Sequence, residues 1–378
     1  MPKINKKIFI VAGESSGDMH ATSLINEIRK IKPGIMFQGI GGNEMKKAGA
    51  ELLFELKDVN YIGFSSVLKN YSKIKFIFNA CIDKIKDSKP AAVILVDYPG
   101  FNLKLIKSIS KFYEGKIIYY ISPQLWAWHK SRIKIIKKYV DLMIVVFPFE
   151  VDFYEKEGIR SEFGGHPLVK RINTFLKNHS REESKKKIIS LLPGSRKDEI
   201  ERMLPVLLLA SDLLKEKIDC DVNVLCSPNF DRSYFKDFIK GRNVNLIYDD
   251  TNSNLNYKAI LNSDFIITKS GTSTIECALI GTPFCVVYKT GRLNYAIGKR
   301  LIKVKNIAMV NILLGKEAVK EFIQDEMTPE KIFDEGKKIL TDKAYSDKMK
   351  SDFEKLRNIL TENDASMNAA SLIMELTG

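Results

Sequence analysis

The apolar positions of this chain gather into short runs separated by helical patterns. A first series comprises Lys7–Val11, Met36–Ile40, Ala92–Val96, Lys116–Tyr120 and Leu142–Val146. A second comprises Lys187–Leu192, Asp221–Cys226, Asn243–Tyr248, Phe265–Thr268 and Phe284–Tyr288. Short continuous apolar runs bounded by turn residues are the pattern of strands buried on both faces, and their alternation with helices predicts parallel sheets covered by helices. Each series opens with a strand running into a glycine-bearing turn. Between them Phe163–Ser184 carries Gly164-Gly165-His166-Pro167 and then a polar, Lys-rich passage, which sets the domain boundary. The expectation is an α/β chain of two Rossmann-like domains facing across a cleft, 1–168 and 169–344, with helices from about 345 to 378 completing the first.

In open parallel sheets ligands bind beyond the carboxyl ends of the strands, so the turns there are the places to look for chemistry. The first, Gly13-Glu-Ser-Ser-Gly-Asp18, follows the strand Ile8–Val11 and leads into a helical pattern from about Ala21. It has neither G-x-G-x-x-G spacing nor a Gly-Lys-Ser/Thr loop. Its hydroxyls, backbone N–H groups and acids suit a polyhydroxylated ligand at least as well as a phosphate. Pro193-Gly-Ser-Arg196 is better equipped for a diphosphate, because Gly194 permits close approach, Ser195 brings a hydroxyl and Arg196 a planar fork. Ser270-Gly-Thr-Ser-Thr-Ile-Glu276 also opens a helix, where an anion is stabilised. Glu276 reads either as a ligand for two ribose hydroxyls or as part of a capping box, and the following Gly281-Thr-Pro283 favours the ligand.

Three further segments carry two readings each. Asp97 ends a very apolar strand, where burial raises a carboxyl pKa and suits a general base, but Asp before Pro-Gly is also a turn former. Tyr119–Arg132 holds both tryptophans beside Ser122, Gln124 and His129, as a stacking platform or as packing at a domain edge. Asn60–Ile82 has too many apolar residues for a helix with one buried face. It is either buried on two sides or an interfacial helix edged by Lys69, Lys73 and Lys75. Asn311, polar within the apolar 306–315 stretch, needs a hydrogen-bond partner that a substrate can supply, and a helix carrying Glu321 and Gln324 is expected after it.

Composition narrows the classes. The 378 residues are 45% hydrophobic and 28% charged, ordinary for a globular protein, and no apolar run approaches a membrane span. Five scattered cysteines fit buried free thiols in a reducing compartment, four unrelated histidines argue against a zinc site, and no signal peptide is apparent, so a cytoplasmic protein is expected. The formal charge of +14 calls for an anionic partner or a Lys-rich surface bias. Nucleic acid is not expected, since no helix-turn-helix, zinc finger or RNP-type strand accompanies the lysines. An anionic membrane surface or a phosphorylated substrate remains.

Taken together, Val11–Asp18, Ser122-Pro-Gln-Leu-Trp-Ala-Trp128, Gly165-His-Pro167, Leu191–Arg196, Ser270–Glu276 and Val310–Leu314 resemble the lipid A disaccharide synthases, two-domain glycosyltransferases of the GT-B type. The segments occur in family order and span the chain; the first turn and the tryptophan block are the specific ones. The resemblance implies an inverting transfer from UDP-2,3-diacylglucosamine to 2,3-diacylglucosamine 1-phosphate (lipid X), giving a β-1,6 disaccharide and UDP. It implies Asp97 as base, Ser195 and Arg196 on the departing UDP, Glu276 on the ribose, and Asn311 orienting donor or base. Glu14, Ser16 and Asp18 fall on the acceptor side, and Gly17, Ser122, Gly194, Ser270, Gly271, Thr272, Ser273 and Gln324 complete the expected substrate-binding set. No cofactor or metal is expected, the leaving group being a good one. The family's membrane-facing patch corresponds to Asn60–Ile82, with Phe64, Val67, Leu68 and Tyr71, and extends to Met203 beside Ile200 and Leu204. That implies peripheral association with the cytoplasmic face of the inner membrane. Gly100 stands where family members often carry a second acid, which adds weight to Asp97.

Two other classes compete. Another GT-B UDP-sugar enzyme, either a peptidoglycan-precursor N-acetylglucosaminyltransferase or a UDP-sugar epimerase, shares the strand-turn-helix motifs. The transferase is expected to carry a histidine-bearing glycine-rich turn unlike Gly13–His20, and the epimerase needs no apolar acceptor surface. A basic nucleic-acid-binding α/β protein is the second, recognisable by salt-dependent oligonucleotide binding.

Overall fold

A computed structural model describes residues 6–59, 71–123, 125–126, 132–249, 254–291, 295, 306–360 and 364–378. The chain divides into two compact units, Met1–Pro167 with Thr361–Gly378, and Leu168–Leu360.

The first unit holds a seven-stranded sheet of order β3-β2-β1-β4-β5-β6-β7. Its strands are β1 Lys7–Ala12, β2 Met36–Gly41, β3 Glu51–Glu55, β4 Ala92–Val96, β5 Lys116–Tyr120, β6 Leu142–Val145 and β7 Ser161–Phe163, all pairing in parallel. Because side chains alternate across a strand, two apolar layers form. Phe9, Val11, Val93, Leu95, Ile117, Tyr119, Met143 and Val145 pack on one face with Phe101, Leu105, Ile106 and Ile136 of the covering helices. Ile8, Ile10, Ala12, Ile94, Val96, Ile118, Tyr120 and Ile144 pack on the other with Leu24, Ile25 and Ile28. Ala369, Ala370 and Ile373 of the last helix, Ala365–Thr377, complete that second face. Burial on both faces is why these strands read as unbroken apolar runs.

The second unit has a six-stranded parallel sheet of order β10-β9-β8-β11-β12-β13. Its strands are β8 Lys187–Leu192, β9 Cys220–Cys226, β10 Asn245–Tyr248, β11 Phe265–Lys269, β12 Phe284–Tyr288 and β13 Glu321–Ile323. All five cysteines are buried free thiols.

Three details differ from expectation. The first helix runs Ser15–Ile31 with Glu14 as N-cap, six residues before Ala21, because serines and glycine are well tolerated in a first turn whose N–H groups have no intrahelical partner. Glu321 and Gln324 lie on β13 and a following 3₁₀ turn rather than on a helix. The helix Lys343–Leu360 belongs to the second unit, where Phe353 stacks on Phe284 at 5.3 Å and Lys316 pairs with Asp352 at 2.6 Å. The chain rejoins the first unit only from Thr361.

Candidate functional site

Strand order reverses between β1 and β4 in the first sheet and between β8 and β11 in the second, and the crevices outside such reversals are where open α/β sheets take ligands. Beyond β1 lie Gly13 and Glu14; beyond β4 lie Asp97 and Tyr98. The Tyr98 ring covers Gly13 so closely that a Cβ there would sit 2.3 Å from it, so any side chain at 13 has to displace that ring. Asp97 and Tyr98 are both in the left-handed region, at φ 45° and 48°. Such conformations cost about 1–3 kcal/mol each outside glycine and persist only where the surroundings enforce them. The Asp97 carbonyl accepts from Asn102 Nδ2 at 2.7 Å and from the Tyr119 hydroxyl at 2.6 Å. Burial, and then the Glu14 charge, push the Asp97 carboxyl up to about 6. A carboxylate poised there is ionised near neutrality yet still basic, as a general base requires.

Other residues of the first turn do different work. Ser16 is exposed on the first helical turn, whereas Gly17 packs against Ala12, 3.5 Å from where its Cβ would lie. Asp18 is only 4% exposed. Its carboxylate accepts from the N–H groups of Gly42 at 2.6 Å, Glu44 at 3.1 Å and Met45 at 3.1 Å. It therefore caps the short helix Asn43–Lys47 from outside, a structural use that the sequence did not anticipate. Ser122 is likewise consumed within the protein, donating to Glu150 Oε1 at 2.5 Å. Trp126 Nε1 and the Phe147 N–H also donate to that carboxylate, and burial pushes Glu150 up to about 7. Gln124 and His129 lie outside the described residues. His166 is buried against Phe147, and burial together with nearby His20 holds it down to about 3.

In the second unit β8 runs into Pro193–Arg196 and the helix Lys197–Lys215. Gly194 has φ 113°, and a Cβ on it would meet Glu199 Oε2 at 2.6 Å. Glu199 stitches the crevice together, accepting from the Ser195 N–H at 3.3 Å, Arg196 Nη1 at 3.4 Å and Lys269 Nζ at 3.1 Å. The Arg196 side chain is 80% exposed and so able to reorient towards a ligand. Across the crevice Gly271, φ 155°, precedes the helix Thr272–Ile280. Ser270 donates to the Ile307 carbonyl at 2.9 Å, and Ser273 shares a 2.8 Å bond with Thr268, so these hydroxyls shape the turn, while Thr272 is exposed at the helix start. Glu276 accepts from the Tyr257 hydroxyl at 3.0 Å, and Arg171 lies 5.1 Å from the Tyr257 ring centroid. Burial raises the Glu276 carboxyl, with Tyr257 and Arg171 pulling the other way.

Three expected site residues are placed otherwise. Asn311 is fully buried, and its amide gives to Val319 O and Glu321 Oε1, both at 2.8 Å. Its carbonyl receives from the N–H groups of Ala318 at 2.8 Å and Val319 at 3.0 Å, which exhausts an amide's capacity. It clamps the 311–321 loop, with all four of its hydrogen bonds made inside the protein. Gln324 is in the left-handed region at φ 56°, its amide oriented to pair with Thr290, donating to O at 3.2 Å and accepting from N at 3.3 Å. Met203 has no exposed surface, and neither do Ile200 and Leu204; with Leu207 they form the inward stripe of their helix, so no apolar patch extends there. Phe64, Val67 and Leu68 lie outside the described residues, and Tyr71 opens the helix Tyr71–Ser88. On that helix Phe76 is 66% exposed, next to exposed Lys75. No described helix is long and apolar enough to cross a membrane.

The first crevice thus offers a buried, raised carboxylate beside a second acid, suited to taking a proton from a hydroxyl. The second offers a helix N-terminus, Lys269, Arg196 and a half-buried Glu276, suited to an anion joined to a diol. Sequence reasoning missed Asn102, Tyr119, Glu199, Lys269 and Tyr257; of these only Glu199, four residues after Ser195, carried a local signal.

A family model described as Lipid-A-disaccharide synthetase matches residues 8–375. The lipid-A-disaccharide synthase of Geobacter metallireducens is 35% identical over 396 residues, covering 99% of this chain and 98% of that protein. That of Syntrophus aciditrophicus is 38% identical, covering 98% of each. Among solved structures, the UDP-GlcNAc 2-epimerase of Neisseria meningitidis aligns over 98% of both chains with TM-score 0.64 and 15% identity. MurG of Acinetobacter baumannii aligns over 98% of this chain and 99% of its own with TM-score 0.59 and 14% identity. Likeness at such identities establishes the shared GT-B fold alone.

Proposed function

The chain belongs to the lipid-A-disaccharide synthase family of hexosyltransferases, and from that premise we propose that it joins UDP-2,3-diacylglucosamine to lipid X with inversion at the anomeric carbon. The observation that carries the chemistry is the Asp97 carboxyl, held at a strand-order reversal and raised to about 6 beside Glu14. Its carboxylate takes the proton of the acceptor 6-hydroxyl as that oxygen attacks the sugar C1. The C1–O bond to UDP breaks with its electron pair leaving on the diphosphate, so neither a covalent intermediate nor a second base is needed.

Negative charge growing on the diphosphate is met in the second unit by Arg196, Lys269 and the N–H groups at the start of the Thr272–Ile280 helix. The Tyr257 hydroxyl holds one oxygen of Glu276, and the other oxygen takes the ribose hydroxyls. Glu14 and exposed Ser16 hold the acceptor sugar. The chain acts as a peripheral protein of the cytoplasmic membrane face, with Phe76, Lys75 and the Phe64–Tyr71 segment meeting acyl chains and anionic headgroups.

Release of UDP from UDP-diacylglucosamine tests the reaction. It is expected only when lipid X is present. UDP release without acceptor, or turnover of UDP-N-acetylglucosamine at a comparable rate, would favour the hydrolytic or epimerase-type chemistry available to this fold.

A further inference from the structure

We propose that Tyr119 and Asn102 are positioning residues that lock the Asp97–Tyr98 peptide in one orientation and thereby set the direction and basicity of the Asp97 carboxylate. The proposal rests on Asp97 being the base. Both side chains are completely buried, so no water competes for their donors. Both converge on one acceptor, the Asp97 carbonyl, at 2.6 Å from the Tyr119 hydroxyl and 2.7 Å from Asn102 Nδ2. They come from different elements, β5 and the helix Pro99–Ile109, so the carbonyl is fixed from two directions.

The peptide they hold is the one whose flanking residues, at φ 45° and 48°, occupy the left-handed region. Neither residue is glycine, and an unclamped peptide there relaxes towards the ordinary region. A trans peptide points its C=O and N–H to opposite sides, so anchoring the carbonyl inward turns the Tyr98 N–H outward. That N–H faces the Asp97 carboxylate and favours its charged form, opposing the burial and the Glu14 charge that raise it. The groups facing the carboxyl are thus Glu14, Tyr98 and, on the far side of the peptide, Tyr119, whose own hydroxyl is kept protonated by burial. Without the clamp the carboxyl loses its N–H partner, titrates higher and points elsewhere.

The experiment compares Tyr119→Phe, Asn102→Leu and Asp97→Asn in the full-length protein, using UDP release with lipid X across pH and thermal unfolding as the folding control. Tyr119→Phe removes one oxygen and is expected to lower kcat about tenfold. KM for the UDP-sugar is expected to stay within about twofold of wild type, and the acid limb of kcat/KM to move to higher pH. Asn102→Leu, which removes the second donor, is expected to do the same, and it serves should Tyr119→Phe fail to fold. Folded variants with unchanged kcat and an unmoved acid limb would overturn the clamp. If Asp97→Asn is inactive while both clamp variants behave as wild type, the clamp fails and the base assignment stands; if Asp97→Asn is fully active, both fail.

Discussion

Replacing Asp18 with alanine removes the acceptor for three backbone N–H groups at the start of the helix Asn43–Lys47, two of them in buried bonds. A hydrogen bond to a charged group contributes about 1.5–3 kcal/mol, and a buried N–H left without a partner costs about 1–3 kcal/mol. Since the three bonds share one carboxylate and are not additive, a loss of about 3–4 kcal/mol is expected. For a unit of this size each kcal/mol lowers Tm by about 2–4 °C, giving a fall of roughly 10 °C. Asp18→Asn separates the contributions. An amide oxygen standing for Oδ1 keeps Gly42 and Met45, but the amide nitrogen turned to Glu44 meets another donor, so about 1–2 kcal/mol should be lost. Thermal unfolding followed by circular dichroism orders the three proteins as wild type, Asn, Ala, with KM for lipid X within about twofold at temperatures where all are folded. An unchanged Tm accompanied by a large rise in that KM would refute the capping role and restore Asp18 to the acceptor site.

Glu150 predicts a pH signature. Its carboxyl is raised from the ordinary 4.5 to about 7 by burial, so its contribution to stability is full below 4.5 and is lost as pH rises through about 7, amounting to about 3 kcal/mol. Relative to wild type, Glu150→Gln should therefore gain stability steadily across that window; parallel Tm-versus-pH curves would contradict it. Arg196→Ala removes a side chain that is 80% exposed, so folding stability should hold within about 0.5 kcal/mol while turnover falls about 100-fold. Equal losses of Tm and activity would point to a structural role instead. Gly13→Ala places a methyl 2.3 Å from the Tyr98 ring positions and must displace that ring. It should cost about 1–3 kcal/mol and most of the turnover, and a folded, fully active variant would show that the Gly13–Tyr98 packing does not position Asp97.

Much of the architecture was legible because fully buried parallel strands write themselves as apolar runs. The ten expected strands all form, whereas β3, β7 and β13 escaped notice for a physical reason: Glu51–Glu55, Ser161–Phe163 and Glu321–Ile323 are largely half-buried, and the last two are only three residues long. The same logic located the crevices, since a polar cluster after an apolar run marks the carboxyl end of a strand. It did not tell which way each polar side chain turns. Asp18 finds its partners at Gly42–Met45, Ser122 finds Glu150, and Gln324 finds Thr290, all distant in sequence. Asn311 meets Val319 and Glu321 close by, but only because the loop folds back. Tyr119 was hidden for the converse reason: its alternation placed it correctly in the core, while its hydroxyl reaches the strained peptide of the neighbouring strand.

Whether Asp97 accepts the acceptor's proton is decided by the pH dependence of kcat/KM for lipid X in wild type and Asp97→Asn. Wild-type kcat/KM is expected to fall tenfold per pH unit below about 6. Asp97→Asn is expected to fold normally, bind the UDP-sugar with unchanged affinity, lose about 10²–10⁴ in turnover above about pH 6 and show no acid limb, its deficit shrinking as pH falls. An Asp97→Asn protein that keeps near-wild-type turnover and the same acid limb would contradict it.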